Sequence, residues 1–120
     1  AQRGDELRAR HRQHMAIRPF LNRQYRPRDQ FRIPADDVIV CRCEEVTAGC
    51  IREQVALGCS GPNQTKSFSR CGMGPCQGRQ CGLTVTEVIA QAAKLPPADV
   101  GYYRIRPPLK SLTLAQLASE

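Results

Sequence analysis

The 120-residue chain has no tryptophan and only three Phe and three Tyr, so the large aromatic anchors that commonly fill a core are scarce. A small domain this poor in them is expected to need a staple such as a metal, a disulfide or a partner. No apolar run approaches the roughly 18 residues that span a bilayer, and the N-terminus has no apolar signal segment. Residues 1–32 contain no lysine, whereas tails that grip phosphates usually mix Lys with Arg; a nucleic-acid partner is therefore not expected. A histidine-supported nucleophile and a paired-carboxylate cleft are both missing, which speaks against catalysis by this chain alone. A nucleotide fingerprint is missing too: in "GMGPCQG" the third glycine falls one place late for G-x-G-x-x-G.

What the chain has in quantity is cysteine, seven in all. An odd number does not suit a secreted disulfide framework, so a reducing, cytoplasmic setting is expected, with peripheral membrane association arising only through a larger complex.

Charge is unevenly placed. Of the net +7, residues 1–32 hold nine Arg against Asp5, Glu6 and Asp29, while residues 33–83 balance to zero. Met15, Ile17, Phe20, Leu21, Tyr25 and Phe31 are interleaved with the arginines. Arginine forks beside aromatic anchors are the composition of a protein–protein contact surface, so 1–32 reads as an extended, Arg-rich docking arm. His11 and His14, set among arginines, read as solvated.

A β-branched run at Val38–Val40 predicts a short strand delivering Cys41 and Cys43 to a site. Thr47 is a good N-cap for a helix over 48–57, with Ile51 and Val55 on one face and Gly58 closing it. Pro62 suits the first turn of a second helix running to Ser69, with Phe68 as its expected core anchor. Thr84 and Glu87 have capping-box spacing for a third helix whose inner face is Val85, Val88, Ile89 and Ala92. The tail, 95–120, contains "GYYRIRPPLK", without helical period and with two prolines, and is expected to be extended. Thr113 and Gln116 predict a short terminal helix from about Leu114.

Four thiolates drawn from two loops can enclose a zinc ion or a [2Fe-2S] cluster. The C-x-C pair Cys41/Cys43 is tight for two ligands on one tetrahedral ion, whereas a two-iron cluster is wider. Gly72, Gly74 and Gly78 would let backbone N–H groups point at sulfur, which favours a redox cluster over zinc. The loop offers two C-x4-C pairs, Cys71/Cys76 and Cys76/Cys81, and spacing alone does not choose. The field at a helix N-terminus favours a thiolate at Cys81 and that at a helix C-terminus disfavours one at Cys71. Cys50 and Cys59 read as small apolar packing residues.

The run "VCRCEEVTAGCIREQVALGCSGPNQTKSFSRCGMGPCQGRQCGLTVTEVIA" resembles the [2Fe-2S]-binding domain of the bacterioferritin-associated ferredoxin type. More narrowly it is similar to the version attached to flavin-dependent opine dehydrogenases, dye-linked proline or hydroxyproline dehydrogenases and bacterial hydrogen cyanide synthase. C-x-C-E, V-T-A-G, G-M-G-x-C-Q-G and the second C-x4-C stand in the family order, over about residues 38–93. In the related domain of anaerobic glycerol-3-phosphate dehydrogenase the position matching Cys71 is aliphatic. The resemblance thus implies Cys41, Cys43, Cys76 and Cys81 as cluster ligands, with Cys71 as a nearby thiol.

These readings together give a small mainly α domain of three short helices and a short strand over 33–94, organised around a [2Fe-2S] cluster and flanked by extended arms. The resemblance implies a non-catalytic electron-transfer subunit, similar to the small subunit of heterotrimeric opine and hydroxyproline dehydrogenases. FAD is then expected only in the partner flavoprotein subunits, which would act on opines, proline, hydroxyproline or similar secondary amines. The alternatives are an assembly subunit stapled by a cluster or zinc, and a stand-alone ferredoxin-like redox partner.

Overall fold

A computed structural model describes residues 2–105 and 112–118. Among these residues the protein is mainly helical with one two-stranded sheet, and it has eight helices, not three. The additional ones lie in the flanking segments. The arm is not extended: it forms α1 (Gln2–Met15), α2 (Arg18–Gln24) and α3 (Asp29–Arg32). Its first stretch combines four Arg and two Gln with Glu6, Leu7 and Ala9, all good helix formers, and that propensity overrides the lack of an apolar stripe.

The expected strand is half of a hairpin. β1 (Ile39–Cys41) pairs antiparallel with β2 (Val46–Thr47), with Ile39 opposite Thr47 and Cys41 opposite Val46. Cys41 therefore ends a strand and Cys43 sits in the turn that follows. Thr47 then caps α4 (Ala48–Ala56), its Oγ1 accepting the Cys50 N–H at 3.3 Å.

Pro62 opens α5 (Pro62–Ser69), but Phe68 is 76% exposed and does not anchor the core. Pro62 and Thr65 form the buried face of this helix, and Phe68 instead lines an outer groove with Leu57. α6 (Gly82–Ala93) starts two residues before Thr84, with Cys81 as its N-cap. The expected capping box therefore does not form. Glu87 instead accepts from Arg32 Nη2 at 2.7 Å. Val85, Val88 and Ile89 are buried as the period predicts, while Ala92 lies at the exposed end of the helix.

A short helix, α7 (Pro97–Val100), follows the prolines and packs on α6, burying Val100. Residues 106–111 of the tail, expected to be extended, lie outside the described residues. α8 (Leu114–Ala118) has the predicted cap: Thr113 Oγ1 accepts the Gln116 N–H, and Gln116 Oε1 accepts the Thr113 N–H at 2.9 Å.

The core is the α4–α6 contact, centred on Ile51, Val85, Val88 and Ile89. Arg52 laces its rim, pairing with Asp36 and donating to the Pro34 carbonyl at 2.8 Å and to Gln91 Oε1 at 3.1 Å. Ile51 and Ile89 are fully buried, so alanine at either should cost about 2–5 kcal/mol of stability, read as a lower urea midpoint. The Arg32–Glu87 pair is only a fifth to a quarter exposed and joins the arm's last turn to α6. Arg32→Ala should cost about 1 kcal/mol in the same assay. No helix among the described residues is long and apolar enough to cross a membrane.

Candidate metal centre

The hairpin and the loop between α5 and α6 bring five cysteines to one place. The Sγ atoms of Cys41, Cys71 and Cys81 all lie within 4.8 Å of one another, and all three residues are buried. Cys43 and Cys76 form a second, more exposed pair, close enough for each thiol to perturb the other. A cavity of about 330 Å³ is lined by Cys41, Cys43, Cys76 and Cys81, with Phe31, Val38 and Ile39 among its other walls. Cys71 is not on that wall. The cysteine cluster can hold a metal ion or an iron-sulfur centre.

Backbone donors surround the sulfurs. The Gly72 N–H donates to Cys41 Sγ at 3.4 Å. Cys76 is held below the usual thiol range by the Gln80 N–H, despite desolvation, with further help from Cys43 and from the N–H groups of Gly78 and Arg79. In Cys43 the backbone N–H of Cys76 favours the thiolate, but the side-chain bond to Cys76, burial and the neighbouring thiols together push it up. Cys81 is pushed well up, first by its bond to Cys71 and then by burial. The helix N-terminus argument for an easy thiolate at Cys81 is therefore outweighed locally: the thiol shares its site with two other sulfurs, and these dominate a field of about half a charge.

Gly74 explains how hairpin and loop come so close. A Cβ added there would lie 2.1 Å from Cys43 Cβ and 3.1 Å from its Sγ. Glu44, in the hairpin turn, accepts from Arg70 Nε at 2.9 Å. Cys59 is buried, and Cys50 accepts from Gln54 Nε2 at 3.4 Å, so neither joins the site.

Sequence reasoning missed two contributors. Phe31 comes from the arm yet lines the cavity. Tyr103 comes from the tail, is buried, and donates from Oη to the Cys71 carbonyl at 3.0 Å. Burial raises its hydroxyl far above the usual phenol range, so it remains a donor. An aperiodic "GYYRIRPP" carries no local signal of the Tyr103 contact, and an arginine-rich arm carries none of the Phe31 contact.

Residues 37–120 match the family model of the sarcosine oxidase A3 domain. The chain is 50% identical over 105 residues to an opine oxidase subunit of Rhizobium meliloti (strain 1021), covering 88% of this chain and 23% of that protein. It is 56% identical over 103 residues to the corresponding opine oxidase subunit of Agrobacterium tumefaciens (strain Ach5), covering 84% and 20%. Hydrogen cyanide synthase subunit HcnB of Pseudomonas protegens is 35% identical over 80 residues, covering 67% and 17%. The chain thus spans about a fifth of the length of these curated relatives. No solved structure matches.

Proposed function

Because the chain belongs to the sarcosine oxidase A3 domain family, we propose that it holds a [2Fe-2S] cluster and serves as the electron-transfer part of a flavin-dependent oxidase acting on opines or similar secondary amines. The observation that carries this reading is the shared cavity of Cys41, Cys43, Cys76 and Cys81. Four thiols in two pairs, with N–H donors aimed at sulfur, fit a two-iron cluster. A cluster held there would exchange electrons one at a time with a flavin that handles them in pairs.

The chain's residues divide that task. Cys41 and Cys81 form the buried side of the cradle, and Cys43 and Cys76 the side nearer solvent. The N–H groups of Gly72, at Cys41 Sγ, and of Gln80, beside Cys76, favour added negative charge at the sulfurs, and so the reduced state. Flavin is assigned to partner subunits, as the resemblance to the small subunit of heterotrimeric opine and hydroxyproline dehydrogenases implies.

We assign residues 1–27 to docking on those subunits. Arginines and exposed Phe20 and Tyr25 provide the contact surface. The domain itself begins at α3, because Phe31 lines the cavity and Arg32 pairs with Glu87. Deleting residues 1–27 should release the domain from its partners with the cluster retained. A truncated chain that still co-purifies stoichiometrically would remove the arm from this role.

A second reading rests on the buried trio Cys41, Cys71 and Cys81, which could hold a single zinc ion as a structural staple. Purification of the native assembly, with iron, acid-labile sulfide, zinc and flavin counted, separates the two. Red-brown protein that bleaches on adding an opine supports electron transfer. A colourless protein with one zinc per chain supports the staple.

A further inference from the structure

The tail crosses the cysteine loop as a strap. Thr86 Oγ1 donates to the Gly101 carbonyl at 2.9 Å. Asn63 brackets the next residues, Nδ2 donating to the Tyr102 carbonyl at 3.2 Å and Oδ1 accepting the Arg104 N–H at 3.0 Å. Helices α5 and α6 thus pin the strap at three points.

Between those points Tyr103 turns inward and is 5% exposed. Its ring fills a notch made by two glycines with left-handed backbone, Gly72 (φ 85) and Gly78 (φ 75). A Cβ at Gly72 would lie 2.7 Å from Tyr103 Cζ, and one at Gly78 would lie 2.7 Å from Cδ2. The hydroxyl anchors the Cys71 carbonyl. Tyr102 packs edge-on to this ring, its Oη reaching the Gly78 carbonyl at 3.4 Å. The loop carrying Cys76 lies between Gly72 and Gly78, so its shape is set against the tyrosine ring. A loop with three glycines has little stiffness of its own.

We propose that Tyr103 is a positioning residue for the cluster, its ring acting as the mould that holds the 71–82 loop in ligating shape. The inference rests on the cofactor reading above and concerns a tail residue far in sequence from the cysteines. Outer partners of a metal centre commonly change its retention by about ten- to a hundred-fold, and a mould for the ligand loop should act with that strength.

The test uses the whole cluster-loaded chain with Tyr103→Ala, Tyr103→Leu and Tyr103→Phe, and Val100→Ala as a core control outside the 71–82 loop. Iron release to a chelator and the EPR spectrum of the dithionite-reduced protein are read at a temperature where circular dichroism shows every variant folded. Tyr103→Ala should release iron about tenfold faster or more, with shifted or broadened g-values. Tyr103→Leu, which keeps some bulk if the alanine variant does not fold, should show the same change in lesser degree. Tyr103→Phe, keeping the ring, should restore the wild-type spectrum. Val100→Ala should lower the melting temperature and leave the spectrum unchanged. Wild-type release and spectrum in both Tyr103→Ala and Tyr103→Leu overturn the proposal, as does an equal spectral change in Val100→Ala. Wild-type protein without iron or sulfide overturns the cofactor reading itself, a different result from a coloured protein indifferent to residue 103.

Discussion

Cys76→Ser is expected to leave the purified chain without iron, sulfide or visible colour, while Cys71→Ser keeps all three. The two residues are five apart in one loop and equally cysteine, so composition does not separate them; their placement does. Cys76 lines the cavity, faces Cys43 and is held toward the thiolate first by the Gln80 backbone N–H. A serine oxygen there would be a poor ligand for iron, and among the described residues no further cysteine lines the Cys43 side of the cavity. Cys71 lies behind Cys41 and Cys81, off the cavity wall, with its carbonyl taken by Tyr103. Because binding and folding are coupled in small metal-nucleated units, loss of the centre should also destabilise the fold, by up to about 10 kcal/mol for the tightest structural sites. Iron and sulfide analysis with a thermal melt reads both effects. The opposite pattern, with Cys71→Ser losing the metal and Cys76→Ser keeping it, would establish the trio Cys41, Cys71 and Cys81 as the ligands and a single ion as the occupant.

Gly74→Ala should also deplete the iron, without replacing any cysteine. Its backbone dihedral is not left-handed, so strain is not the reason. The added methyl would stand 2.1 Å from Cys43 Cβ, and neither partner is a flexible chain end that can swing aside. Either the hairpin turn or the loop must retreat, opening the Cys43–Cys76 pair while Cys41 and Cys81 stay in the core. The expected result is a chain that folds around Ile51 and Ile89 yet fails to retain a full complement of iron. Overpacking of this kind typically costs about 1–3 kcal/mol, a modest part of a domain's stability but enough to misplace two donors. A Gly74→Ala protein with wild-type iron content and absorption would show that hairpin and loop do not meet this closely in the loaded protein.

Local patterns were legible wherever the physics is local. The Val38–Val40 run announced a strand, Thr47 announced a cap, and Thr113 with Gln116 announced the terminal helix, because each depends on residues within four positions. The inner face of α6 followed from its period at Val85, Val88 and Ile89. Local patterns misled where a long-range partner claimed the residue. Glu87 has capping-box spacing but pairs with Arg32, 55 positions away. Phe68 is the largest apolar residue of α5, yet the face turned inward is the one bearing Pro62 and Thr65.

That this chain needs a staple, and has the thiols for one, follows from its composition. Two cysteine-bearing turns accompany an apolar helical core, and the order of their motifs resembles that of a [2Fe-2S]-binding family. Folding had to settle the rest: which sulfurs share a cavity, that the arm's last turn closes part of its wall, and that a tail tyrosine sits in the notch between two glycines. Ligation depends on ångström distances between segments that are remote along the chain. Spacing constrains those distances within a loop, but across loops they are set by packing.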